Sequence, residues 1–225
     1  EELEERFRSV AQFGGNGDFN ETGIPGQFGI QFLNSRDHSD PGVDPFTTRA
    51  IIGGSTADIL TPDVLGISTT LDIGNFNPGD LVFLPVEFFE DSVIDIPRAS
   101  SASLLDVLAA RLATTIAHEV AHSFGIRHTD PLSPTASVID TGGTAQVQLN
   151  AVGVGPDGIY GTADDVPVVF PQFDRFDPLE GYFGNEYVAA SLAWGLATGT
   201  QGAALTGTVF NDANRDGQRG SSGEP

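Results

Sequence analysis

Three of the four histidines in this 225-residue chain fall within the run H-E-V-A-H-S-F-G-I-R-H between His118 and His128. His118 and His122 are four residues apart. On a helix that spacing puts the two imidazoles one turn apart on the same face, so both can bind one Zn²⁺. Glu119 then sits beside the metal, placed to hold and deprotonate a water. Gly125 can end the helix in a left-handed conformation, after which the chain can return His128 as a third ligand. Three protein ligands leave one coordination position open, as catalytic zinc requires and structural zinc does not.

The helix that carries these residues is expected from about Ser103 to Phe124. Ser103 followed by Asp106 reads as a capping box with Asp in place of Glu. Leu105, Leu108, Ala109, Leu112, Ile116 and Val120 form an apolar stripe that would pack on a sheet, with the histidines turned away from it toward a cleft. A first helix is expected over Glu1–Gln12. Strands are expected at Gln27–Leu33, Ala50–Ile52, Leu65–Leu71 and Leu81–Phe89, with Pro85 marking the end or edge of the last. A late helix is expected over Asn185–Thr198, capped by Asn185, with Val188, Leu192 and Leu196 on one face and Tyr187 and Trp194 as anchors. His38 is an isolated loop histidine, better read as solvated than as a ligand.

The pattern H-E-x-x-H-x-x-G-x-x-H resembles that of the metzincin zinc endopeptidases, among them matrixins, serralysins, astacins and pappalysins. That resemblance implies an α+β fold: a twisted, mostly parallel sheet with the active-site helix above a cleft, then a smaller, largely irregular and helical C-terminal subdomain. Residues 1–125 would form the upper part and 126–204 the lower. It also implies that Glu119 is the general base and that His118, His122 and His128 are the zinc ligands. An edge strand, for which Leu65–Leu71 is the candidate, would pair with an extended substrate. Metzincins carry a tight turn below the zinc, usually built on methionine. This chain has no methionine, and Ile139 in Ser137–Asp140 takes that place, with Thr141 where some members have tyrosine. Asp130 could orient a histidine from behind, although Asp before Pro131 reads better as a turn residue.

Two acidic stretches suit calcium. Asp157, Asp164 and Asp165 surround a glycine-rich turn, with an ordinary acidic turn as the equal alternative. In residues 205–225, Asp212, Asn214 and Asp216 alternate before Gly217, with Glu224 later. This resembles the opening of the B-type calcium-binding repeats of bacterial surface adhesins, so the chain reads as part of a longer multidomain protein.

Composition narrows the partners. The net charge is −21, and all ten basic residues are arginines. Such a chain repels nucleic acid and anionic membranes. No apolar run approaches a membrane span, cysteine is absent, and the chain starts without methionine, as a mature or excised fragment would. The expectation is a secreted or cell-surface, monomeric zinc endopeptidase, probed by protein or peptide substrates and stabilised by calcium. Its rivals are a catalytically silent zinc-binding adhesion or scaffold module and a hydrolase acting on something other than peptides.

Overall fold

The computed structural model describes residues 2–10, 32–36, 47–59, 64–76, 79–142 and 144–196. His38, most of the Gln27–Leu33 stretch, the side chain of Trp194 and the whole of 205–225 lie outside them. So do Asp212, Asn214, Asp216 and Glu224.

The fold is α+β, with one long helix at its centre. Helix α1 (Glu2–Arg8) comes first, followed by β1 (Arg49–Ile52), β2 (Ile67–Ser68), β3 (Leu81–Leu84) and the short α2 (Phe89–Val93). The central α3 (Leu104–Ser123) precedes α4 (Ala145–Asn150), β4 (Asp174–Arg175), β5 (Asn185–Glu186) and α5 (Val188–Gly195). Strand order in the main sheet is β1-β3-β2. β1 runs parallel to β3, and β2 runs antiparallel to it at the edge. A mostly parallel sheet was the expectation; among the described residues one pairing is of each kind. β3 stops before Pro85, which has no amide hydrogen to continue the ladder, and beyond it Val86 and Phe88 lie in the link to α2, which begins at Phe89. Among the described residues no helix is long and apolar enough to cross a membrane.

α3 begins as the sequence suggests. The Asp106 amide donates to the Ser103 hydroxyl, and the Asp106 carboxylate receives the Ser103 amide at 2.7 Å, closing a capping box. Its buried face differs from the expected one. Leu105 is 71% exposed, while the buried positions include Val107, Ala110, Ala113, Thr114, Ala117 and Ala121. Small residues lie inward because α1 packs against α3, and closely spaced helices leave little room for leucine. Arg6 of α1 donates through Nε to Thr114 Oγ1 at 3.0 Å, a buried contact. The Thr114 hydroxyl in turn donates to the Ala151 carbonyl at 2.6 Å.

Two apolar clusters flank α3. One joins Val93, Ile96, Val107, Ala110, Val152 and Val154 along its first half. The other joins Phe7, Ala117, Ala121, Ile126, Ile139, Phe170, Val188 and Leu192 around its C-terminal half. Residues from both sides of position 125 share this second cluster, so the two expected parts are packed into each other there.

The late helix also starts differently. Asn185 lies in β5, paired with Arg175, and does not cap α5. Val188, Leu192 and Leu196 share a buried face as expected, whereas Tyr187 is 61% exposed and is not an anchor. Asn185 belongs to a strand because Arg175 pairs with it, as Asp174 does with Glu186, from a distance that local propensity does not register.

Candidate metal centre

The end of α3 fixes the first two histidines and aims the third. After Ser123 the helix closes with the Gly125 amide donating to the His122 carbonyl at 2.8 Å and the Ile126 amide to the Ala121 carbonyl at 3.1 Å. This is the Schellman pattern, which requires a left-handed residue after the cap. Gly125 supplies it with φ of 88°. A Cβ at Gly125 would also stand 2.3 Å from the Ile73 Cα, so the loop after β2 crosses there at a distance only glycine allows. The chain leads directly to His128, whose carbonyl receives the Asp177 amide at 3.1 Å. The next residue, Thr129, is held on two sides by bridges to Asp140 and Phe176.

The three Nε2 atoms form a triangle: His118 to His122, His118 to His128 and His122 to His128 are each 3.1 Å apart. Among the described residues this is the one group of three or more histidine or carboxylate side chains whose ligand atoms lie within 4.8 Å of one another. Each Nδ1 meets an acceptor. His118 Nδ1 faces the Val138 carbonyl at 2.8 Å, His122 Nδ1 faces the Ile126 carbonyl at 2.7 Å, and His128 Nδ1 faces the Glu180 carboxylate. An acceptor at Nδ1 places the proton on that atom, so all three Nε2 atoms carry lone pairs. Three lone pairs converging at this distance repel unless a cation lies among them. Nitrogen ligands around tetrahedral zinc, with bonds of about 2.0–2.1 Å, stand about 3.3 Å apart, so the donor set fits such an ion. Burial lowers the His118 pKa well below its ordinary value and that of His122 to about 4, with His122 and His128 adding to the effect on His118 and His128 to that on His122. Both are therefore neutral, as metal ligands must be.

Glu119 lies between α3 and the sheet edge. Gly66 makes room for it: a Cβ there would come within 2.5 Å of the Glu119 Cγ. Burial raises the Glu119 carboxyl to about 7, opposed by a hydrogen bond from the Ser68 backbone. A cavity of about 970 Å³ opens here, lined by β2, by the histidines and Glu119, and by Val138 and Asp140 from the turn beneath.

That turn is where the sequence places it. The Ser137 amide donates to the Asp140 carboxylate at 3.0 Å, and Val138 supplies the carbonyl that holds His118. Ile139 is fully buried and packs in the same cluster as Ala117 and Ala121, directly supporting the helix that carries the histidines. Burial raises the Asp140 carboxyl to about 6, despite hydrogen bonds from Thr129 and the Ser137 amide. Asp130 does not bond a histidine. It accepts from the Leu132 amide at 2.8 Å and pairs with Arg175, so it is the turn residue that its proline neighbour suggests. The carboxylate behind His128 is Glu180 instead, on the short 3-10 turn Pro178–Glu180. It lies 52 residues beyond its partner, and no spacing rule points to it. The carbonyls of Val138 and Ile126 leave no sequence signal at all.

The acidic loop at 155–166 is arranged otherwise. Asp164 accepts from the Asp157 amide at 3.0 Å and the Thr162 hydroxyl at 2.5 Å, which hold its carboxyl below the ordinary value. Asp165 accepts from the Gly161 amide at 2.6 Å, and Asp157 from the Ile159 amide at 2.8 Å. These three carboxylates hold the loop together through its own amides, and they do not bring three ligand atoms together within 4.8 Å.

No protein-family model, curated protein or solved structure matches this chain.

Proposed function

We propose that this chain is a zinc-dependent endopeptidase, secreted or displayed on a cell surface, of the kind its H-E-x-x-H-x-x-G-x-x-H motif resembles. The observation that carries the proposal is the convergence of three histidine lone pairs beside a buried carboxylate in an open cleft. His118, His122 and His128 would hold the ion, leaving a position free on the cleft side. The ion, when bound, supplies Lewis acidity that polarises a carbonyl and makes water more acidic.

The remaining work belongs to this chain's own groups. Glu119 accepts the proton of the attacking water and delivers it to the leaving amine. It is buried beside the histidines, in a cleft shared with β2, where a carboxylate can take a proton and return it. β2 lies at the edge of the sheet beside Glu119, and Val64 to Leu71 line the cleft. Exposed strand amides there can pair with the main chain of an extended peptide. Glu180 fixes the tautomer and orientation of His128.

The test is metal content by mass spectrometry together with digestion of a denatured protein, on wild type and on Glu119→Gln. Zinc in both proteins with cleavage by wild type alone supports the proposal. Zinc in both with cleavage by neither makes the domain a zinc-binding scaffold.

A further inference from the structure

Ten arginines serve a chain with thirty-one carboxylates, yet one arginine inside the cleft has no carboxylate partner. Arg111 is on α3, seven residues before His118 and eleven before His122, so all three share a helix face. It lines the same cavity as the histidines and Glu119, about 10 Å along the helix axis from His118 by the helical rise. The residue is only 7% exposed. Its Nε is buried without a hydrogen-bond partner, and the side chain forms no ion pair among the described residues.

A guanidinium in this state has lost hydration that an ion pair or hydrogen bonds must replace. The acidic groups that line the cavity do not. Asp140 is engaged by Thr129 and the Ser137 amide, Glu119 is engaged by Ser68, and Asp91 is exposed. Burial alone accounts for the lowering of the Arg111 pKa to about 10, with no opposing carboxylate. The group stays charged throughout the working range. Thr114 and Thr115 also line the cavity near it, but both hydroxyls donate to helix or loop carbonyls, at Ala151 and Arg111 respectively. The unanswered feature of this part of the cleft is therefore a buried guanidinium whose Nε has no partner.

We propose that Arg111 is a specificity-determining residue that binds a substrate carboxylate, so that the cleft takes peptides with an acidic group close to the scissile bond. This deepens the endopeptidase reading and rests on it. A carboxylate fits the guanidinium fork with two parallel hydrogen bonds, and the low local polarity strengthens them. The carboxylate could come from a Glu or Asp side chain or from a free peptide C-terminus.

The experiment uses zinc-loaded Glu119→Gln, which binds without turnover, and three matched acetylated hexapeptides. One has Glu and a C-terminal amide, one has Gln and an amide, and one has Gln and a free carboxylate. Calorimetry should show the Glu-amide or the free-acid peptide binding at least about tenfold more tightly than the Gln-amide, the scale of one charged hydrogen-bond pair. Which of the two gains identifies the source. Adding Arg111→Met should erase the difference, and Arg111→Lys should restore part of it, since charge returns without the fork. Arg111→Met fills similar volume and removes a buried unpaired charge, so its melting temperature should hold or rise.

Equal binding of the three peptides, no binding of any of them, or a preference that survives Arg111→Met would overturn the assignment. Cleavage by the otherwise wild-type protein is scored separately. Discrimination without cleavage leaves the carboxylate site standing and removes the peptidase reading. Cleavage with no acidic preference and equal binding does the reverse.

Discussion

The histidine triangle and the acidic loop at 155–166 are both clusters of potential ligands, and the sequence offers both as candidate metal sites, the loop on equal terms with an ordinary turn. Their hydrogen bonds separate them. At the triangle each ring spends its Nδ1 on a carbonyl or carboxylate, and the three Nε2 atoms point at one another across 3.1 Å with nothing to satisfy them. In the loop each aspartate spends its carboxylate on an amide of the same loop. A side chain anchored at one end and open at the other is ready for a ligand. A side chain that closes its own turn is already occupied. Ligand type and spacing alone do not distinguish these two conditions.

His122→Ala should break the comparison most severely. Removing one of three ligands should weaken zinc binding by about a thousandfold or more and abolish turnover, since structural zinc sites are worth about 10–16 kcal/mol shared among their ligands; a competition titration with a chelating dye reads it. Glu119→Gln should keep the zinc and lower turnover by about 10²–10⁴-fold, the usual contribution of a positioned acid–base group, read as kcat on a quenched-fluorescence peptide. Glu180→Ala leaves every ligand in place but frees the His128 ring. Zinc affinity should fall by about 10–100-fold, and no change would show that the His128 orientation does not depend on this contact.

Gly125→Ala should cost about 2–3 kcal/mol in chemical denaturation, since the left-handed backbone and the Ile73 contact both resist a Cβ. The smallest effect belongs to the loop. Asp164→Ala should lower the melting temperature slightly, by the same amount with and without added calcium. A calcium-dependent difference would make the two regions alike after all.

The helix that carries the site was legible because its signals are local. Ser103 and Asp106 close the cap through residues three apart, and His118, His122 and Gly125 act within two turns. The end of β3 was legible only in part, since Pro85 in the Leu81–Phe89 stretch reads equally as an end or as an edge position. The burial of α3 was not legible, because apolar periodicity identifies an apolar face without saying which neighbour packs how closely. α1 and the loop at Ala151 approach the alanines and threonines, and Leu105 is left in solvent. Asn185 looked like a cap because its β5 role depends on pairing with β4. Glu180 and Arg111 were missed for different reasons. Glu180 reaches His128 through tertiary folding alone, whereas Arg111 was visible on the histidine face of the helix and needed only to be read there as a charge without a partner.

Zinc titration of the metal-free protein, monitored by calorimetry on wild type and His122→Ala side by side, tests the central claim most directly. One zinc per wild-type chain, bound tightly and lost in His122→Ala, is the expected result. Failure of the wild-type protein to take up zinc, or uptake that His122→Ala leaves unchanged, would mean that the three converging nitrogens are not a metal site.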